Sequence, residues 1–258
     1  MRFRSIISGM GAALLMAVAG SAVAEDTDIT VRVLSKDAKF IGTSMGGMRV
    51  MLRDAQNGEL LSEGVTSGGT GDTGKIMHDD GGRRISMADD SAASYNTTLD
   101  LEQPRLIEAQ VYGPLGQPQA AHRASATQWV IPGGDLSVGD GWVIELPGFV
   151  VNILEPAAAQ GWSSADSDGV KVTANVMMMC GCPITPDGLW DANRYEVGMT
   201  VTRDGETVAE QSMSYAGKAS HFEGDVPVDE AGVYNVTVHA YDPQNGNTGV
   251  DRTTLKVR

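Results

Sequence analysis

Apolar and polar residues alternate along most of this chain in short runs, and Gly, Asp, Asn or Pro closes almost every run. A period of two sends alternate side chains to opposite faces, the pattern of a strand with one face buried. The runs DITVRVL (28–34), MRVMLRD (48–54), LLSEGVT (60–66), LIEAQVYG (106–113), ATQWVIP (126–132) and GWVIELPGFVVNIL (141–154) predict a first group of strands. AQNGE, between the second and third, carries the Asn-Gly pair favoured in a hairpin turn, where both central residues need positive φ. The alternation restarts at Gly169 with VKVTANVMMM and continues through YEVGMTV (195–201), TVAEQSMSY, HFEGDVPV, GVYNVTVHAYD and TTLKV, with an Asp-Gly turn in TRDGE. No stretch of ten or more residues holds a helical period.

Two segments break the pattern. Residues 66–94 are dominated by Gly, Asp and Ser, a composition that buries too little apolar surface to offset the ~1 to 2 kcal/mol cost of ordering each residue. A long mobile loop is expected there, cut first by proteases at Lys75, Arg83 or Arg84. In EPAAAQGWSSADSDG (155–169) small, polar and proline residues replace the alternation, which marks a joint between two folding units. Turn signals every ~8 to 12 residues on either side predict antiparallel sandwiches. The expected fold class is all-β: two antiparallel β-sandwich domains in tandem, 25–155 and 156–258, with the Gly/Asp-rich loop inside the first.

In DEAGVYNVTVHAYDPQNGNTGVDRTTLKV (229–257) an acidic residue, a Gly and Tyr234 lead into an alternating strand, a Gly/Asn turn and a closing strand. This resembles the last two strands of bacterial immunoglobulin-like domains. The resemblance implies a tyrosine corner at Tyr234. It departs from antibody-type domains, because the Tyr234 strand has no cysteine to bridge to Cys180. VMLRDAQNGELLSEGVT (50–66) resembles the small transthyretin-like sandwiches attached to secreted carboxypeptidases, which implies a sandwich for the first unit as well. Both likenesses speak to fold and not to function.

The amino terminus changes the cellular picture. A short basic start (Arg2, Arg4), an apolar stretch and the ending SAVA, with Ala22 and Ala24 where a signal peptidase reads, mark 1–24 as a cleaved signal peptide. A membrane span needs ~20 strongly apolar residues, whereas this stretch is shorter, rich in Gly and Ala, and followed by EDTD. No cysteine at the boundary offers a lipid attachment point, so the expectation is a periplasmic or extracellular protein with no membrane span. The chain has 19 Lys and Arg against 33 Asp and Glu, and losing Arg2 and Arg4 moves the net charge from −14 to −16. That excess repels phosphate backbones and anionic membranes. Nucleic acid is excluded as a partner on this ground; the acidity reads as self-repulsion that keeps a soluble exported protein apart, with calcium or a basic protein partner as the sharper alternative.

Candidate chemistry is sparse. GTSMGG (42–47) matches GxSxG with Ser44 in the nucleophile's place, but the nucleophile elbow must end a central parallel strand and open a helix, and neither is expected here. DSDG (166–169) and DGLWDAN (187–193) cluster oxygens that could serve Ca²⁺, yet short Asp/Asn segments of this kind are ordinarily turns. VMMMCGCPI (176–184) is different, because it holds the only two cysteines behind three consecutive methionines. Strand alternation puts Val172, Ala174, Val176, Met178, Cys180 and Cys182 on one row, expected to face the core, and Met177 and Met179 on the other.

Three readings of that stretch stand side by side. Met and Cys are common core fillers, and Met177 and Met179 would then be covered by the other domain. Thioethers and thiolates are also soft ligands that suit Cu(I), so Met177, Met179, Cys180 and Cys182 form a candidate metal site, with His221 as a nitrogen donor if HFEGDV pairs antiparallel beside it. Finally, Cys180 and Cys182 could form a disulfide if Gly181 bends the chain. The function these observations imply is an exported, non-enzymatic binding or accessory protein with a protein partner and a candidate copper site. A structural or adhesive cell-surface subunit, with the methionine stretch as core or interface, is the alternative.

Overall fold

A computed structural model describes residues 24–78, 85–163 and 169–258; of the expected leader, only Ala24 lies within them. Among the described residues, the amino-terminal half contains β1 (Glu25–Ser35), β2 (Arg49–Asp54), β3 (Leu60–Val65), β4 (Tyr95–Leu101), β5 (Arg105–Gly113), β6 (His122–Val130) and β7 (Trp142–Leu146). There follow β8 (Phe149–Glu155), β9 (Gln160–Trp162), β10 (Val170–Met178), β11 (Glu196–Arg203), β12 (Glu206–Ser212), β13 (Ser214–Tyr215), β14 (His221–Val226), β15 (Gly232–Tyr241) and β16 (Thr248–Val257). The one described α-helix, α1, is a single turn at Thr73–Met77. The all-β expectation holds.

The first sandwich places the sheet β4-β1-β7 over the sheet β3-β2-β5-β6. Strand β1 runs antiparallel to β4 and parallel to β7. Alternate residues fill the space between the sheets: Ile29, Val31 and Val33 of β1 meet Val50 and Leu52 of β2 and Ile107, Ala109 and Val111 of β5. Each of these Val, Leu and Ile side chains, removed fully from water, contributes roughly 1.5 to 3 kcal/mol.

The second sandwich places β13-β14-β10-β8 over β12-β11-β15-β16-β9. That is the immunoglobulin order D-E-B-A against C′-C-F-G, with β9 added parallel to β16 on the far edge. The Tyr234 hydroxyl donates to the Glu230 carbonyl at 2.8 Å, which makes the tyrosine corner expected from the sequence. Arg203 covers it: its guanidinium lies 5.7 Å from the ring centroid and pairs with Glu230 at 2.9 Å.

Two expectations are corrected. The run 141–154 is not one strand of the first sandwich. It breaks at Pro147-Gly148, where Gly148 turns the chain at φ +128, and the second half is β8, which pairs with β10 through Val151 opposite Val176. Apolar alternation continues on both sides of the break, so periodicity alone runs straight across it. The described parts of the loop, 66–78 and 85–94, are likewise not the loose segment their composition suggests. Ser67 and Ser94 exchange backbone hydrogen bonds at its base, and Ala88 and Ala92 pack on Phe40. The Asp140 carboxylate accepts from the Ser86 hydroxyl at 2.6 Å and from the Ala88 and Met87 amides at 2.7 and 3.0 Å. Burial raises this carboxyl, but those three bonds and Arg32 outweigh it and hold Asp140 below the usual carboxylate range. Lys75, expected as an open cleavage site, sits in α1 with its ammonium on the Ala88 carbonyl at 2.7 Å; Arg83 and Arg84 lie outside the described residues.

Strand β8 generates a test. A fragment starting at Gly148 keeps Phe149 and Val151, both fully buried, and should melt cooperatively. One starting at Pro156 loses both side chains and should be destabilised by about 3 to 6 kcal/mol, two full burials, as read by urea unfolding of the two fragments.

Candidate functional site

The methionine and cysteine stretch ends β10 and forms the joint between the sandwiches. Along β10 the burial alternates as expected, with Val172, Ala174, Val176 and Met178 inside. Beyond Met178 the chain turns sharply. The Gly181 amide donates to the Met178 carbonyl at 2.8 Å and the Met178 amide to the Cys182 carbonyl at 3.1 Å. Gly181 needs its lack of a side chain twice over: its φ is +82, and a Cβ there would stand 2.6 Å from the Met45 sulfur of the first sandwich. The bend brings the Cα atoms of Cys180 and Cys182 to 5.4 Å, and the two cysteines are joined in a disulfide, within the spacing such a bond requires.

The five residues named as a soft-metal set are not gathered at one point. Cys180 and Cys182 are spent on each other and face the second core with Met178 and Ile184. Met179 is fully buried and belongs to the first core, and Met177 packs half-buried against that same core. His221 does pair beside β10, as expected, but directly opposite Asn175. Opposed residues share a face, so His221 lies on the side of Met177 and away from the cysteines. Its Nδ1 engages the Ala219 carbonyl at 2.9 Å.

The polar half of the joint was not visible in the sequence. The connection between β1 and β2 meets the turn between β15 and β16. The Lys36 ammonium donates to the Asn245 carbonyl at 2.8 Å, and the fully buried Asn247 donates to the Lys36 carbonyl at 3.2 Å and accepts from the Gly148 amide at 3.2 Å. The Trp190 indole donates to the Asp37 carbonyl at 3.0 Å, and the Asn245 amide to the Asp37 carboxylate at 3.3 Å. DPQNGN (242–247) reads as a turn and nothing in its composition names a partner; neither does LSKDA (34–38).

Two titratable groups feel this junction. Burial, then the charge of Asp242, push the Asp37 carboxyl up, against the smaller opposing effects of Arg194, Asn245 and Lys36. Burial and the same two carboxylates push Tyr195 up to about 12.

The remaining candidates resolve simply. Ser44 is exposed in a three-residue 3-10 turn, Thr43–Met45, between β1 and β2, with no strand-to-helix elbow around it. DGLWDAN is a turn organised by Asp191, whose carboxylate accepts the Asn193 and Asp187 amides, each at 3.0 Å; led by the bond from Asn193, these contacts lower its pKa. DSDG lies, apart from Gly169, outside the described residues.

No family model matches the chain, and no curated protein does. Among solved structures it is similar to the fibronectin(III)-like modules of Clostridium thermocellum CbhA, at 14% identity and a TM-score of 0.30 over 95% of this chain and 93% of that one. Another is the titin domain pair z1z2 in complex with telethonin, at 12% identity and a TM-score of 0.23 over 92% and 89%. An engineered protein gives 19% identity and a TM-score of 0.32, over 46% of this chain and 22% of its own. The fold assignment rests on strand order and register, not on these values.

Two outcomes test the joint. Met179→Ala should cost about 2 to 5 kcal/mol in thermal or urea unfolding, the usual range for a buried Met truncation. Because the folded pKa of Asp37 is raised, the native state holds its proton to higher pH than the unfolded chain does. Stability linked to Asp37 is therefore greatest below the ordinary carboxylate pKa and is lost as pH rises through the folded value. Asp37→Asn keeps the contact with Asn245 and tolerates the φ of +57 at that position. It should melt higher than wild type at neutral pH and coincide with it in acid.

Proposed function

We propose that this chain is an exported, non-enzymatic binding protein that engages a protein partner through the outer face of the sheet β3-β2-β5-β6. The register carries the reading. Arg49, Tyr112 and Arg123 lie in one cross-strand row, and Met51, Arg53 and Trp129 extend the same face. Trp129 is 59% exposed and Tyr112 36%; Arg123 stands 5.9 Å over the Tyr112 ring. Trp, Tyr, Met and Arg are the side chains enriched at protein interfaces and their hot spots. The face is of mixed charge, with Glu63 paired to Arg49 at 3.0 Å and Glu108 opposite Arg53, so the aromatic and arginine side chains carry the reading, not the net charge.

The edge strand supports it. β6 is nine residues long, ends its sheet and carries no carboxylate, whereas the edge strands β3, β4 and β12 hold Glu63, Asp100, and Glu206 and Glu210, and the edge strands β9 and β13, which also lack one, are only three and two residues long. An open edge with no negative charge accepts an added strand. Export is supported by the leader-like residues 1–24, by β1 starting at Glu25, and by a disulfide, which belongs to oxidising compartments. A non-enzymatic role is supported by the setting of Ser44, which lacks the elbow its motif requires.

A photo-crosslinking residue at Thr127, in the mature protein expressed in its own cells, should capture one discrete partner. Trp129→Ala should reduce that adduct at least tenfold, and a crosslinker at Thr207 on β12 should give none. Equal adducts at Thr127 and Thr207, or no effect of Trp129→Ala, would remove the reading.

A further inference from the structure

Beside the sulfur-filled part of the joint lies a separate cleft of about 200 Å³ between the two sandwiches. Asp37 enters it from the first, and Trp190, Arg194, Tyr195, Asp242 and Gln244 from the second. Asp242 is only 2% exposed. One of its oxygens accepts the Gln244 amide at 2.8 Å; the other has no hydrogen-bond partner among the described residues. None of the ion pairs among the described residues includes Asp37 or Asp242. Arg194 and Lys36 are both close enough to act on Asp37, but neither makes an ion pair with it.

A buried carboxylate ordinarily has a cation beside it, because an uncompensated charge out of water is costly. Here two carboxylates converge on a cleft whose one cationic wall residue, Arg194, makes no ion pair with either of them. The walls say which cation fits. A calcium ion takes six to eight oxygen ligands at once, and this cleft offers two carboxylates, one side-chain amide and one phenol. The rest of its surface is the Arg194 side chain, the Trp190 indole, the Tyr195 ring and the side chains of Leu189 and Met77. Aromatic faces and aliphatic walls beside a carboxylate pair suit an ammonium group on an apolar stem, held by charge at its head and by cation–π and apolar contact along its length.

We propose that the cleft between the sandwiches is a binding site for an alkylammonium group, with Asp37 and Asp242 holding the charged head and Trp190 and Tyr195 flanking the stem. The group is either a free aliphatic amine or a lysine side chain presented by another protein. The site is separate from the outer sheet face, and neither reading depends on the other.

The test uses the full mature chain in ¹⁵N-detected NMR titrations with n-butylammonium, with acetyl-lysine-amide and with Ca²⁺. Both organic cations should shift the Trp190 indole and the Asn245 side-chain resonances saturably, while trimethylacetamide, uncharged and of similar bulk, should not. Binding of both supports a lysine side chain as the natural occupant; binding of butylammonium alone supports a free amine. Asp37→Asn, which leaves the fold intact by the argument above, should weaken either ligand at least tenfold, and Trp129→Ala should leave it unchanged. Asp242→Asn is a second variant, read only if its spectrum is that of a folded chain. No saturable shift with either organic cation, unchanged affinity in Asp37→Asn, or tight Ca²⁺ binding at these resonances would overturn the proposal.

Discussion

The molecule depends on one strand having two obligations. The inner row of β10 completes the core of the second sandwich through Val172, Ala174, Val176 and Met178. Its outer row, continued past the end of the strand, closes the core of the first through Met177 and Met179. The exchange is mutual, since Ala38 of the first sandwich packs into the second core and Val150 of the second packs into the first. A strand with one wet face could have been polar there. The run of three methionines exists because neither face of this segment is wet at its end, and an unbranched thioether fills the uneven gap between two independently shaped surfaces better than a β-branched side chain does.

The polar rim of the same junction explains why it is directional. Backbone groups of Lys36 and Asp37 cannot be left unbonded where the sandwiches meet, and they are bonded by Asn247 and Trp190. Apolar contact alone would let one sandwich slide over the other at little cost. Hydrogen bonds between specified donors and carbonyls hold a single orientation, because any slide strands buried polar groups without partners. Asp37 is the exception to this economy: its carboxyl is held where ionisation is disfavoured, and groups set against stability in this way are characteristic of positions retained for another reason.

Much of the fold could be read from residue order, and the failures have a common cause. The inner row of β10, the Tyr234 corner and the turn at Asp191 are local: each follows from side chains within a few positions and a period of two. What the residues did not disclose is non-local. Pro147-Gly148 looks like a minor interruption until β8 is seen to leave one sandwich for the other. Residues 66–94 look unburied because, Thr66 apart, the buried side chains among the described residues there are alanines, and Ala88 is anchored by Asp140, more than fifty positions further along the chain. The disulfide was legible only as one of three readings, because the deciding feature is a backbone bend at Gly181, where Met45 approaches from the other sandwich closely enough to exclude a Cβ. For the candidate sites the same holds: Asp37 and Asp242 are separated by most of the chain, and composition gives no reason to put them together.

The thioethers at the junction also have a chemistry that packing does not use. A methionine oxidised to its sulfoxide becomes polar and larger at the sulfur. Of the two that reach the first core, Met179 is fully enclosed and shielded, while Met177 is partly open and would take up oxygen first. A sulfoxide at Met177 would fall on the seam and not inside either sandwich. Oxidation at the junction would therefore begin as a loosening of the two halves against each other while each remained folded, a lesion that far-UV spectra would miss and that reductive repair could reverse.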